Sequence, residues 1–345
     1  METVDFTDAG SFEEFDKFVR GYGEFMQSPR WASVKDGWIG EGIVSRNCEG
    51  NIRAACLVLV YRTPLISLLY APRGFIGEYS ESAFSDIMAG IDLLAKKYRA
   101  AEFLFDPKFT RENEPMFLRG YRGFEITPVQ PRENVILRLR KTYEETERGF
   151  KSDYRNRIHK AKNRGVRFEI HGENALGEFY ALYRETGKRD GFQTREREYF
   201  SRMLSAFGDD CRVFICRSEN GKALSAAVGI RFGTRFTYVY GASSSENREL
   251  YPCYLMHSEM IKFALESGCT EYDFGGVPNY RDENSAGYRL WRFKHGFGGE
   301  TVEFVGEYSK VYRKYPAKLV EFIQKAKRNP CFTGYRTNVK VRRSA

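Results

Sequence analysis

Lys294 stands out for what surrounds it. In Trp291-Arg292-Phe293-Lys294-His295-Gly296-Phe297-Gly298-Gly299-Glu300 it follows an aromatic residue and precedes three glycines. Read as a basic aromatic loop, this segment holds a cation at the rim of a cleft. It closes a run that begins at Tyr238-Val239-Tyr240-Gly241-Ala242-Ser243-Ser244 and passes through Tyr272-Asp273-Phe274-Gly275-Gly276-Val277. Apolar strands that stop at glycine and polar residues are where α/β proteins place sites. A second chemistry is basic. Between Arg148 and Arg167 there are eight Lys or Arg and one acid, and from Gln324 to Ala345 seven Lys or Arg and no acid. Such stretches suit phosphates, on RNA or on an anionic membrane surface. A solvated helix with locally paired cations and a solvated tail are the plainer readings of the same residues.

Other chemistries find no support. Seven cysteines at 48, 56, 211, 216, 253, 269 and 331 include no Cys-x-x-Cys pair, and read as buried thiols. The four histidines have no ligand spacing, so neither a metal site nor a cofactor is expected. No apolar run is long enough to cross a bilayer. The start, Met1-Glu2-Thr3-Val4-Asp5, is acidic and lacks a signal core, which implies a cytoplasmic protein.

These residues need elements to hold them. A chain of 345 residues suits two domains, and an aromatic content of 15% suits stacking clefts. Ser11 to Val19 reads as a helix with a Ser11/Glu14 capping box, and Ser28-Pro29 starts another. Strands follow at Trp38–Val44, Ile52–Tyr61 and Leu65–Tyr70, then a helix over Ala83–Tyr98 and a strand from Glu102 that stops at Asp106-Pro107. After the basic helix, Phe150–Lys162, the order returns. A strand lies at Val166–His171, with helices at Ala175–Arg189 and Arg197–Phe207. Strands come next at Arg212–Cys216, Ala223–Phe232 and Arg235–Tyr240, then a helix from Tyr254 to Ser267 and a strand at Glu271–Phe274. Both halves run helix, antiparallel strands, helix, strand, which predicts two copies of one α/β unit. A last helix, Pro316–Lys327, can pack back on the first.

Taken in order, these residues resemble the Fem family of peptidoglycan-bridge aminoacyltransferases over nearly the whole chain. The marks are Phe25-Met26-Gln27-Ser28-Pro29-Arg30-Trp31, Tyr70-Ala71-Pro72-Arg73-Gly74, Asp106-Pro107, Gln130-Pro131 and the Tyr154–Gly165 helix. They continue with Glu185-Thr186-Gly187-Lys188-Arg189-Asp190-Gly191-Phe192, Tyr240-Gly241-Ala242-Ser243-Ser244, Tyr272-Asp273-Phe274-Gly275-Gly276 and Phe293-Lys294-His295-Gly296-Phe297-Gly298-Gly299-Glu300. With no sustained heptad run, the chain resembles the compact FemX form.

The resemblance implies an α/β fold of two tandem N-acetyltransferase-like (GNAT) domains with largely antiparallel mixed sheets. The first would be residues 1–140 with a C-terminal helix from 311–345, and the second 141–310. It implies a monomer that moves Ala, Ser or Gly from aminoacyl-tRNA to the stem-peptide diamino residue of UDP-MurNAc-pentapeptide or lipid II, with room for peripheral contact with an anionic membrane. Lys294 matches the lysine thought to stabilise the tetrahedral oxyanion, and Phe293 would shape the tRNA-terminus pocket. Lys35 and Arg195 match positions that hold the acceptor's diphosphate, and Tyr199 and Tyr240 match tyrosines of the same cleft. Asp106 matches a carboxylate near the acceptor peptide that orients the ammonium or acts as base. Position 103 is Phe where the family pattern has Tyr.

Two other functions fit parts of this. An acyl-CoA N-acyltransferase would share the fold, but needs a Gln/Arg-x-x-Gly-x-Gly/Ala turn. The nearest stretch, Arg20-Gly21-Tyr22-Gly23-Glu24-Phe25, fails at its last position. A non-catalytic RNA- or envelope-binding protein would use only the basic helix and tail.

Overall fold

From Ala54 to Val60 every side chain is apolar and every one is buried. A strand without polar alternation is covered on both faces. The computed structural model describes residues 1–64, 66–123 and 129–317. These form two sheets. The first contains β1 (Glu2–Val4), β2 (Trp38–Arg46), β3 (Ile52–Arg62), β4 (Ser67–Ala71), β5 (Ile76–Gly77), β6 (Ala100–Phe105) and β7 (Arg122–Gly123). The second contains β8 (Glu133–Arg138), β9 (Arg167–His171), β10 (Cys211–Arg217), β11 (Ala223–Phe232), β12 (Arg235–Ser243), β13 (Glu271–Gly276) and β14 (Glu300–Glu303). A late strand, β15 (Tyr308–Val311), returns to the first.

The two sheets repeat one plan. The first runs β1-β2-β3-β4-β6-β15-β7, with β5 added on β3, and the second β9-β10-β11-β12-β13-β8-β14. In each, one central pair is parallel, β4 with β6 and β12 with β13, and the rest is antiparallel. The sixth place in each order goes to the strand that follows the other sheet's run in sequence, β15 after β14 in the first sheet and β8 after β7 in the second. The expected repeat is therefore present, with a strand exchanged each way.

Helices fill three layers. They are α1 (Ala9–Arg20), α2 (Pro29–Val34), α3 (Glu81–Tyr98), α4 (Tyr143–Glu147), α5 (Ser152–Asn163), α6 (Leu176–Asp190), α7 (Arg197–Phe207), α8 (Pro252–Glu266) and α9 (Ala286–His295). The crossovers α3 and α8 lie on the outer faces of their sheets, α8 together with α5 and α9. Between the sheets, α1 and α2 meet α6 and α7 in one core containing Phe15, Trp31, Phe179, Phe200 and Phe207. Each such ring contributes roughly 1.5–3 kcal/mol by leaving water. Ion pairs tie the same seam, with Asp210 accepting from Arg20 and Arg231, both at 2.8 Å.

The Phe25–Trp31 motif has a structural reason. Strand β3 pairs with β5 near one end and β4 near the other, which leaves Leu57 between them. Gln27, fully buried, accepts from the Leu57 N–H at 2.8 Å and donates to the Pro72 carbonyl at 2.7 Å. Ser28 caps α2 and Pro29 opens it.

Several expectations shift. The first helix begins at Ala9, capped by Asp8, whose carboxylate accepts from the Ser11 N–H at 2.7 Å. Ser11 thus lies inside the helix, because Asp8 supplies an acceptor one turn earlier. The segment read as a basic aromatic loop is helical through His295. Ser285 caps it by accepting from the Tyr288 N–H at 2.9 Å, and Leu290, Phe293 and Phe297 give it a helical apolar stripe that packs with α5 and α8. The last helix and the basic tail lie outside the described residues, apart from the helix's first two positions.

Candidate active site

The candidate residues fall into three groups. Lys35, Arg195, Tyr199 and Tyr240 come together from four elements. Lys35 ends α2, where its amine lies 4.4 Å from the Trp31 ring centre and 5.7 Å from that of Tyr199. The Arg195 guanidinium, in the loop before α7, is 5.3 Å from the Tyr199 ring centre. Tyr240 on β12 donates its hydroxyl to that of Tyr199 at 3.3 Å. Burial, reinforced by the Arg195 charge, pushes the Lys35 amine down to about 7. Two adjacent cations over aromatic faces, drawn from both halves of the chain, form a site suited to a multiply charged anion.

Lys294 is the centre of the second group. It is not at a rim: its side chain is 2% exposed and its amine donates to the Gly276 carbonyl at 2.9 Å. The helix turns it inward, because the stripe that packs α9 on α8 carries Lys294 with it. Register explains the place it reaches. Strands β12 and β13 pair only from Arg235/Glu271 to Thr237/Asp273, and beyond that point they part. Gly275 sits at φ 75°, a conformation that disfavours side chains, and a Cβ there would lie 3.8 Å from the lysine amine. Burial pushes this amine down to about 7, and Asp273 opposes the fall. His257 of α8 is buried beside it and pushed down to about 3, first by burial and then by the Lys294 charge. That imidazole is neutral and pairs with the Tyr272 hydroxyl at 2.9 Å. Phe293 shares the helix but joins an aromatic cluster, 5.2 Å from Tyr254 and 5.4 Å from His257 between ring centres.

Asp106 makes the third group. It is 1% exposed at the end of β6 and accepts from the Arg73 N–H at 2.8 Å and the Tyr70 hydroxyl at 3.3 Å. Burial pushes its carboxyl up to about 7, against the nearby Arg73 charge. Glu307, leading into β15, is pushed up to about 8 by burial and then by Asp106. Among the described residues Asp106 makes no hydrogen bond or ion pair with the other candidates. The link is electrostatic. Glu24 is raised by burial, lies within reach of Arg73 and Arg235, and also feels Asp273. The acids at the end of β6 and beside Lys294 therefore share one interior field.

A pH experiment checks this burial. Asp106 has a folded pKa above its unfolded one, so the folded state binds the extra proton, and stability falls as pH rises from about 4 to about 7. Asp106→Asn keeps an acceptor for Arg73 and removes the titration. Its stability relative to wild type should rise by on the order of 2 kcal/mol between pH 5 and pH 8 in urea denaturation. A constant difference would mean a hydrated carboxyl.

Sequence reasoning passed over Tyr70, Arg73, Asn134, His257 and Glu307. Tyr70 and Arg73 stood in a quoted motif without a role, while Asn134 and Glu307 occupy the two exchanged strands or their approach, which local pattern does not reveal. The basic helix α5 divides. Lys162 pairs with Glu259 at 2.7 Å and Arg157 with Asp153 at 3.4 Å, while Lys151, His159 and Lys160 stay exposed. Among the described residues no cluster of three His, Cys, Asp or Glu has metal-site geometry. No described helix is long and apolar enough to cross a membrane.

Fold and site define a tandem GNAT-like protein with a seam that holds two cations against aromatic rings and with a buried lysine. The FemAB family profile matches residues 11–114, 119–219 and 214–325, and the chain belongs to that family. It is 30% identical over 333 residues to a UDP-N-acetylmuramoylpentapeptide-lysine N(6)-alanyltransferase of Weissella viridescens, covering 90% of this chain and 96% of the relative. It is 26% identical over 407 residues to a lipid II:glycine glycyltransferase of Staphylococcus haemolyticus, covering 94% and 96%. A crystal structure of FemX superposes with a TM-score of 0.84 at 25% identity, over 93% of this chain and 100% of that one. A tandem GNAT protein of clavulanic acid biosynthesis, at 10% identity, 90% and 98% coverage and TM-score 0.54, shares the fold.

Proposed function

We propose that this chain transfers an amino acid, Ala, Ser or Gly, from aminoacyl-tRNA to the stem-peptide diamino residue of a peptidoglycan precursor, UDP-MurNAc-pentapeptide or lipid II. The observation that carries the reading is the buried Lys294 amine where β12 and β13 part. Relatives named for glycyl transfer with lipid II and alanyl transfer to a UDP-linked muramoylpentapeptide support the acceptor class. The chain divides at residues 140 and 310 into two units, each lending a strand to the other's sheet.

The donor is an activated ester, so the enzyme needs to place a neutral amine against it and stabilise the oxyanion. In its protonated form Lys294 supplies a positive charge in a dry setting, where charge acts strongly. Asp106, titrating near neutrality, attracts the incoming ammonium and takes its proton. Lys35 and Arg195 hold the acceptor's diphosphate, with Tyr199 and Tyr240 walling that cleft. Phe293 helps to form the aromatic wall near the tRNA terminus. The exposed cations of α5 attract the RNA backbone.

The donor is tested by binding and transfer together. Affinity for charged tRNA should fall steeply between 50 and 200 mM salt, by about 10²-fold or more if several phosphates are neutralised. A labelled amino acid should leave the tRNA only when acceptor is present. A flat salt response, or transfer from acyl-CoA instead, overturns the RNA donor.

A further inference from the structure

Asp273 and Asn134 take no part in the reaction as described, yet both are buried next to Lys294. Asp273 is 4% and Asn134 6% exposed. The Asn134 amide donates to both carboxylate oxygens of Asp273, at 3.1 and 3.3 Å. Its own carbonyl oxygen has no hydrogen-bond partner among the described residues. A buried asparagine with its acceptor unmet is held there for its donors, since an unmet buried acceptor costs stability. The same Asp273 oxygen accepts the Gly275 N–H at 2.8 Å. That bond fixes the left-handed turn at Gly275, and the next carbonyl, of Gly276, receives the Lys294 amine at 2.9 Å. Asn134 comes from β8, the exchanged strand, where it pairs in register with Gly276.

We propose that Asp273, clamped by Asn134, is a positioning residue that fixes the Gly275–Gly276 turn under Lys294 and keeps a negative charge beside its amine. The inference rests on the reading of Lys294 as the group that stabilises the oxyanion. The first half of the chain thus orients the reactive lysine of the second through one exchanged strand. Other titratable or charged groups face the pair: His257 of α8, Tyr238 and Arg235 of β12, Tyr272 of β13, and Glu24 before α2. None of them changes in the variants below. Asp273 holds the lysine's pKa above where burial alone would leave it.

The test uses the full chain with 13C-labelled lysine side chains, the Lys294 resonance being assigned by its loss in Lys294→Arg. Asp273→Asn keeps an acceptor for Gly275 and removes the charge. The Lys294 titration midpoint should fall by about 1 pH unit or more. The transfer rate should drop more at pH 8 than at pH 6.5, because a protonated amine is needed. Asn134→Leu keeps the charge but frees the carboxylate. It should lower kcat by about 10-fold with KM nearly unchanged, as misplacement of a reacting group does. An unmoved midpoint in a folded Asp273→Asn protein overturns the proposal. If that variant fails to fold, an unchanged kcat in Asn134→Leu overturns it. A shifted midpoint in a protein with no transfer activity at all would leave the positioning intact and remove the proposed reaction instead.

Discussion

Lys294→Ala slows aminoacyl transfer by about 10²-fold or more, the loss expected when one stabiliser of an oxyanion is removed. The effect should fall on kcat, because the role proposed for the amine lies where charge develops rather than where substrate docks. Lys294→Arg restores a charge but not the geometry, since a guanidinium does not fit against the Gly276 carbonyl in a site that leaves the side chain 2% exposed. Truncation also leaves a cavity where this buried side chain stood, so the variant must be shown to fold, by its unfolding midpoint, before its rate is interpreted. Undiminished turnover of a folded Lys294→Ala protein would remove this residue from the chemistry.

Arg195→Met combined with Lys35→Met raises the KM for a UDP-linked acceptor by about 10²-fold and leaves kcat within a few-fold. Each charge-assisted contact to phosphate contributes roughly 1.5–3 kcal/mol. Methionine keeps most of the apolar stem that packs on Trp31 and Tyr199, so the change removes charge with little loss of packing. The pair also carries a pH signature. With its free amine near 7, Lys35 is protonated below neutrality and loses charge above it, so acceptor affinity weakens as pH rises through that value. Bound phosphate opposes the loss by favouring the charged form. Steady-state kinetics with the UDP-linked acceptor at pH 6.5 and 8 read both effects. An unchanged KM in the double variant would place the diphosphate elsewhere.

How much of this was legible in the residues depends on the distance between cause and effect along the chain. The strands of the core were readable because each carries its own signal, as in the unbroken apolar run at Ala54–Val60. The four residues of the Lys35–Arg195 cluster were readable only through the resemblance. Lys35 and Arg195 are 160 positions apart, and it is the packing of α2 on α7, with Trp31 and Tyr199 at 6.5 Å, that unites them. Lys294 was found for its neighbours but misplaced. The glycines after it suggested a loop, whereas the stripe Leu290–Phe293–Phe297 and the Ser285 cap make a helix that carries the amine inside. The strand exchange was invisible, because β8 and β15 look like ordinary strands and only the finished sheets show which one each completes. Asn134 and Glu307 were missed for that reason.

In the proposed reaction a buried lysine and a two-cation seam together serve the joining of an amino acid to a cell-wall precursor. Incubation of the protein with a mixed pool of charged tRNAs and UDP-MurNAc-pentapeptide, followed by tandem mass spectrometry of the acceptor, tests it most directly. The expected product carries one added Ala, Ser or Gly residue on the side-chain amine of the stem-peptide diamino acid, and prior RNase treatment of the tRNA abolishes it. An acceptor of unchanged mass, with lipid II equally unmodified, would contradict it.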